Sequence, residues 1–150
     1  MQNSLDINTV MQVVIVVRDL EETLKKWIEI FKIPMPKIKI QKPTDDLNIL
    51  YRGKKAVYGR KIAAIKTGKF IVEIVEPGEG DSTFREFLDK HGQGVHHIGF
   101  VVGDRRDAII KEFEEKGYVL RTVGNTSPGN SWTVVDTEDA LGINLNIKLK

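Results

Sequence analysis

The strand–helix passage near the start of this chain is written twice. Residues 12–19 read QVVIVVRD and residues 97–104 read HIGFVVGD, and the two align without a gap at an offset of 85 (97 − 12 = 85). Val16 and Val17 fall on Val101 and Val102, and Asp19 falls on Asp104. Each copy is an apolar, β-rich run closed by an Asp placed to cap the helix after it. A duplicated strand–helix unit folds into two equivalent halves, and equivalence lets the same strand position of each half face one shared centre. In this repeat those positions are Gln12 and His97.

The remaining elements follow from periodicity. After Asp19 and Glu22, at N-cap and N3 spacing, Leu20, Leu24, Trp27, Ile28 and Phe31 form one apolar helical stripe, ended by Pro34 and Pro36. KIKI and NILY read as short strands around a loop at Pro43–Asp46. Lys61–Lys66 and Phe70–Val75 read as a hairpin turning at Thr67-Gly68-Lys69. The turn cluster PGEGDS divides the chain into a first module, 1–78, and a second, 79–150, which opens with a linker helix. That helix has capping-box spacing at Thr83 and Glu86 and should stop near His91-Gly92. The second half then predicts strand 95–102, helix 104–116, strand Tyr118–Val123, a loop over Asn125–Asn130, and strands Trp132–Val135 and Ile143–Leu149. Each half reads βαβββ, so the expected class is α+β with mostly antiparallel pairing, in one compact domain of 150 residues.

Composition narrows the function classes. The chain contains 0 Cys, which excludes disulfides, thiolate catalysis and Cys-ligated metal centres. Net charge is +2 with signs interspersed, so no nucleic-acid footprint is expected. No apolar run approaches the ~20 residues of a membrane span. The opening MQNSLDINT lacks the basic and apolar regions of a signal peptide, and a cytoplasmic location is expected.

Strand alternation sorts the residues that could carry chemistry. Glu73 shares a face with Ile71 and Val75, where a carboxylate is costly unless paired, hydrogen-bonded or bound to metal. His97 shares a face with Val95, Gly99 and Val101, and His96 should point the other way. Asn146 lies with Asn144 and Lys148, opposite Ile143, Leu145 and Ile147, and alone reads as solvent-facing. Taken singly, each has a structural explanation: Glu73 paired with a lysine at a strand edge, His97 a satisfied core residue, Gln12 a polar strand start. Together, Gln12 and His97 open the first strand of each half, while Glu73 and Asn146 lie in the last. Two-fold packing would bring one donor from each into one cavity. An ion held by one His, one carboxylate and two amide oxygens would be weakly bound, with a single anionic ligand.

The run GDSTFREFLDKHGQGVHHIGFVV, with VRDLEETLKKWIEIFKIP before it and VDTEDALGINLNI after it, resembles the vicinal oxygen chelate superfamily (glyoxalase, bleomycin resistance and dioxygenase proteins). The branch it looks like is that of methylmalonyl-CoA epimerase and glyoxalase I-like proteins, over roughly residues 9–149. The resemblance implies a pseudo-two-fold pair of βαβββ modules forming a curved mixed sheet around a cavity. It implies a divalent metal (cobalt, nickel, zinc or manganese) at Gln12, Glu73, His97 and Asn146, and a homodimer. It also implies isomerase or lyase chemistry, with a proton taken from the carbon next to a carbonyl.

The chain departs from that family at two metal positions. Gln12 stands where His is usual, and Asn146 stands where a Glu doubles as catalytic base. Metal binding is therefore expected to be weak or absent. Glu73, the one matching carboxylate, is the expected base, and Asp45 and Asp46 offer no clear second one. The rival expectation is a binding protein of the bleomycin-resistance kind, which uses the cavity without chemistry. The expected ligand is a small molecule such as an acyl-CoA, whose phosphates could meet Lys25, Lys26, Lys32, Lys37, Lys39 or Lys42, unless these form only a solvated surface. Trp132 is expected to line the cavity or to pack in the core.

Overall fold

β1 (Val10–Val16) and β7 (Gly94–Val101), the two copies of the repeated run, lie side by side and antiparallel in the middle of one sheet. The computed structural model describes residues 5–125 and 131–150. On its other side each central strand pairs, in parallel, with the last strand of its own half. β1 takes β6 (Ile71–Pro77), and β7 takes β10 (Asn144–Lys148). Antiparallel neighbours follow outward: β5 (Arg60–Lys66) and β2 (Ile38–Gln41) on one wing, β9 (Ser131–Val135) and β8 (Leu120–Asn125) on the other. The short pair β3 (Leu50–Tyr51) and β4 (Lys54–Lys55) leaves the first half and extends the sheet beyond β8. The order is thus β2-β5-β6-β1-β7-β10-β9-β8-β3-β4, an α+β fold in which both halves build the same βαβββ wing around a two-fold between β1 and β7.

Helices cover the two faces. α1 (Leu20–Phe31) starts where the Asp19 carboxylate accepts from the Glu22 backbone N–H at 3.0 Å. It ends at Lys32, whose left-handed backbone (φ 56) turns the chain toward Pro34. Leu20 and Leu24 are fully buried against Val17, Ala63, Val72 and Ile74 on the outer face. Burial of each side chain stabilises by about 1.5–3 kcal/mol. The stripe fades at Phe31, which is 60% exposed and stacks on Trp27 instead of entering the core. α3 (Arg106–Glu115) covers the other wing with Ile109, Ile110 and Phe113 against Phe100, Leu145 and Ile147. α2 (Thr83–His91) lies on the inner face, packing Phe84 and Phe87 against Val14, Val16 and Val75.

Several boundaries differ from the sequence reading, each for a local reason. α2 is capped by Ser82, whose hydroxyl accepts from the Arg85 N–H at 3.0 Å, one residue ahead of the expected Thr83. Thr83 is thereby freed for a contact inside the protein. Asp104 does not cap α3: Gly103 takes a left-handed backbone (φ 60), and Gly103–Arg105 form a 3₁₀ turn that carries Asp104 inside the first turn. β8 begins at Leu120, not Tyr118, because Tyr118 packs against Phe113. Of the expected loop Asn125–Asn130, Asn125 ends β8, and residues 126–130 lie outside the described residues. The last helix, α4 (Glu138–Leu141), is a single turn that the sequence pattern did not show.

Candidate functional site at the two-fold

Two-fold pairing brings the four expected positions to one place. Gln12 shares the inner face of β1 with Val14 and Val16, and Glu73 sits opposite Val14 in the β1–β6 ladder. Asn146 sits opposite Gly99 in the β7–β10 ladder. All four side chains line a cavity of about 500 Å³. The Gln12 amide donates to Glu73 Oε2 at 2.9 Å, and Asn146 Nδ2 lies 3.3 Å from His97 Nε2. Gln12, His97 and Asn146 are buried, so the solvent-facing reading of Asn146 is corrected. Alternation identified the polar face of β10 correctly, but curvature makes that face the wall of a cavity. Gly99 makes room for this cluster: a Cβ there would stand 2.7 Å from Gln12 Oε1 and 3.0 Å from Gln12 Cβ.

The expected opposition of His96 and His97 does not hold. Between Val14↔His97 and Ile15↔Val95 the β1–β7 register slips by one residue, a bulge that places an extra residue, His96, on β7. Both rings turn inward, 5.0 Å apart and edge-to-face, with their Nδ1 atoms 2.7 Å apart. His96 also contacts Thr83 Oγ1 through Nε2 at 2.9 Å and packs against Phe84 and Phe87.

Two imidazole nitrogens this close share one proton. With the Asn146 amide nitrogen turned to the ring, that group donates and His97 Nε2 accepts. The His97 proton then sits on Nδ1 and is donated to His96 Nδ1, while the His96 Nε2–H is donated to Thr83. Burial, reinforced by the positive charge of Arg121, pushes His96 down to about 3. Burial pushes His97 well below 6.5, helped by His96 and by the charges of Lys148 and Arg60. Both rings are therefore neutral at pH 7, and the His97 Nε2 lone pair, at the cavity wall, is open to a cation only when the Asn146 amide turns away from it.

This donor set fits a divalent cation. Gln12 Oε1 and Asn146 Oδ1 are buried and accept no hydrogen bond, and they join an imidazole nitrogen and a carboxylate around one centre. A single negative charge keeps such a site weak. Elsewhere among the described residues, the carboxylates of Asp19, Glu21 and Glu76 gather within 4.8 Å of one another. Each is engaged: Asp19 caps α1, Glu21 pairs with Lys61, and Glu76 accepts from the Leu20 N–H.

The rest of the cavity wall is basic and apolar, with Ile62, Ala64, Phe84 and Trp132 beside the cations. Lys37, Lys39, Arg60 and Lys148 line it, and Glu73 is the only carboxylate among the lining residues. Of the lysines expected to meet an anionic ligand, Lys37 and Lys39 reach the cavity, and Lys25, Lys26, Lys32 and Lys42 do not line it. Trp132 lines the cavity and is also buried. Arg60 was missed by the sequence reading, since an Arg opening a strand after Tyr-Gly resembles a turn residue. Its signal was the alternation Arg60, Ile62, Ala64, which puts it on the β5 face opposite Glu73.

A repeated βαβββ sheet closing on a polar centre made of first-strand and last-strand residues defines a class of cavity proteins. The chain belongs to the glyoxalase/bleomycin resistance protein/dioxygenase superfamily, whose family model matches residues 11–135. It is similar to the methylmalonyl-CoA epimerase of Mycobacterium tuberculosis, with TM-score 0.62 and 19% identity over 99% of this chain and 94% of that one. A variant of the Streptomyces coelicolor methylmalonyl-CoA epimerase, solved in complex with 2-nitronate-propionyl-CoA, gives TM-score 0.63 and 20% identity over 93% of this chain and 95% of that one. At these identities the likeness is one of fold. A curated relative, the uncharacterized protein YqjC of Bacillus subtilis (strain 168), is 30% identical over 77 residues, 45% of this chain and 55% of the relative. The chain thus spans about half the length of that relative. Among the described residues no helix is long and apolar enough to cross a membrane.

Proposed function

We propose that this protein is an isomerase or lyase of the proton-transferring kind, acting on a small acyl thioester such as an acyl-CoA. The observation that carries this reading is Glu73, a carboxylate on the cavity wall oriented at 2.9 Å by the Gln12 amide beside a neutral His97. Glu73 takes the proton from the carbon next to the carbonyl and returns it. His97, its basicity lowered by burial, is a poor competitor for that proton. Gln12, Glu73, His97 and Asn146 would hold a divalent ion, which when bound supplies a Lewis acid for the carbonyl oxygen. With one carboxylate among the lining residues, the chemistry suits a single base working on one face of the substrate rather than two bases on opposite faces. Family likeness supports action as a homodimer, which light scattering would test.

The rival reading, a binding protein without chemistry, is favoured by Asn146, an amide at the place where a second base would stand. Exchange separates them. Incubation with methylmalonyl-CoA or propionyl-CoA in D₂O should wash out the α-proton signal by NMR, and Glu73→Gln should abolish this. Saturable binding with no exchange above buffer in the unmodified protein would leave the binding reading standing.

A further inference from the structure

Arg60 is held unlike any other cation in the cavity wall. Its guanidinium lies over two aromatic rings, 5.2 Å from the centroid of Phe84 and 5.8 Å from that of Trp132. Its Nε donates to Gln41 Oε1 at 3.0 Å. Trp132 itself is fixed by its neighbour strand: a Cβ at Gly124 would overlap the indole ring. These contacts engage both the stacking surfaces and Nε. The terminal nitrogens Nη1 and Nη2 have no hydrogen-bond or carboxylate partner among the described residues.

A guanidinium pinned in this way is a rigid fork that accepts a planar oxyanion edge-on, with two parallel hydrogen bonds. The surrounding charge points the same way. Lys37, Lys39 and Lys148 line the same cavity, and none is in an ion pair among the described residues. With Arg60 they make four positive charges against the single carboxylate of Glu73, a net +3 (4 − 1 = 3) in one concave space. Such a site concentrates anions. Arg60 and Glu73, the opposite charges of one cavity, form no ion pair. In the β5–β6 ladder Glu73 faces Ala64, and Arg60 lies four residues before Ala64 on the same face. At ~3.4 Å per residue their backbone positions are ~14 Å apart along the strand. The two residues are rooted at separate places along the strand and their side chains form no ion pair, as a ligand with a reacting end and an anionic end requires.

We propose that Arg60 is the anion-recognition residue of this cavity, and that the ligand carries a carboxylate which Nη1 and Nη2 bind side-on, with the three lysines supplying attraction. This rests on the cavity being the ligand site of the proposed function, but not on proton transfer occurring there. The test uses malonate, its uncharged diamide and inorganic phosphate, titrated calorimetrically at fixed ionic strength. Malonate should bind at least tenfold more tightly than the diamide and more tightly than phosphate. Arg60→Lys keeps the charge and should cost malonate at least tenfold in affinity, with an unchanged melting temperature certifying the fold. Equal binding of malonate and diamide, or an unchanged affinity in Arg60→Lys, overturns the proposal. Preference for phosphate overturns the carboxylate assignment. Arg60-dependent malonate binding in a protein that exchanges no α-proton would uphold this proposal and reject the catalytic reading, so the two fail separately.

Discussion

Glu73 and Asn146 occupy one and the same position of the repeat. Glu73 stands opposite Val14 in its ladder and Asn146 opposite Gly99 in its own, and these partners are separated by 85 residues (99 − 14 = 85), the offset that also relates Gln12 to His97. The centre is thus two symmetry-related pairs that have diverged in chemistry. A carboxylate on one wing answers an amide on the other, and an amide on the first strand answers an imidazole. One half supplies charge, and the other supplies a neutral nitrogen and a carbonyl oxygen.

Restoring the charge should restore metal affinity. The double change Gln12→His with Asn146→Glu adds an imidazole and a second carboxylate where two neutral amide oxygens now stand unpartnered. Affinity for cobalt or nickel, measured by isothermal titration, should rise more than tenfold, or ~1.4 kcal/mol. No gain would show that these four residues are not metal ligands.

Gly99→Ala tests the packing beneath Gln12. The added methyl would press on both the Gln12 amide oxygen and its Cβ, and the latter is close to the backbone and has little room to give. Overpacking of this kind costs about 1–3 kcal/mol, read as a lower urea midpoint at constant slope. An unaltered midpoint would mean that Gln12 adopts another rotamer freely.

Acid should weaken the fold well above the usual carboxylate range. His96 and His97 are neutral when folded but titrate near the ordinary 6.5 when unfolded. Their folded values are lowered, so below pH 6.5 the unfolded chain binds protons that the folded one refuses. Stability is complete above pH 6.5 and declines as pH falls, by ~1.4 kcal/mol per unit for each ring. For His96 the decline continues to about 3. Glu138 adds a loss at lower pH. Burial raises its carboxyl, but His91 and Arg121 outweigh that and hold it at about 2, so its contribution fades as pH drops from 4.5 toward 2. Urea midpoints between pH 7.5 and 4 measure the slope, and His96→Gln should reduce it. A flat profile from pH 7 to 5 would contradict the buried neutral pair.

Arg121 should be among the most sensitive positions in the chain. It is 3% exposed and meets Glu86, Asp136 and Glu138 at 3.6, 3.1 and 3.3 Å. Removing it opens a buried hole and leaves Glu86 and Asp136 with only Arg52, and Glu138 with Lys90, His91 and the Asn144 amide. Arg121→Met should cost about 3–5 kcal/mol by denaturant melts. A loss under 1 kcal/mol would show that water reaches and solvates these carboxylates.

The repeat, the βαβββ order, the α1 cap at Asp19 and the stop of α2 near Gly92 were all legible in the chain. Each depends on residues close together in sequence: alternation along one strand, a carboxylate beside its helix, a glycine after it. The same local rules placed Gln12, Glu73, His97 and Asn146 on equivalent strand positions. What they could not supply is which face of a strand becomes the inside of a curved sheet. That is set by packing of α1 and α3 on the outer face and α2 on the inner, so Asn146 looked solvent-facing while lining a cavity. Nor could periodicity foresee the bulge at His96, because a register slip is decided by the partner strand. The clamped guanidinium of Arg60 is non-local in the same way. Gln41, Phe84 and Trp132 come from three separate elements, and only the curved sheet with its packed helix brings them to one cation.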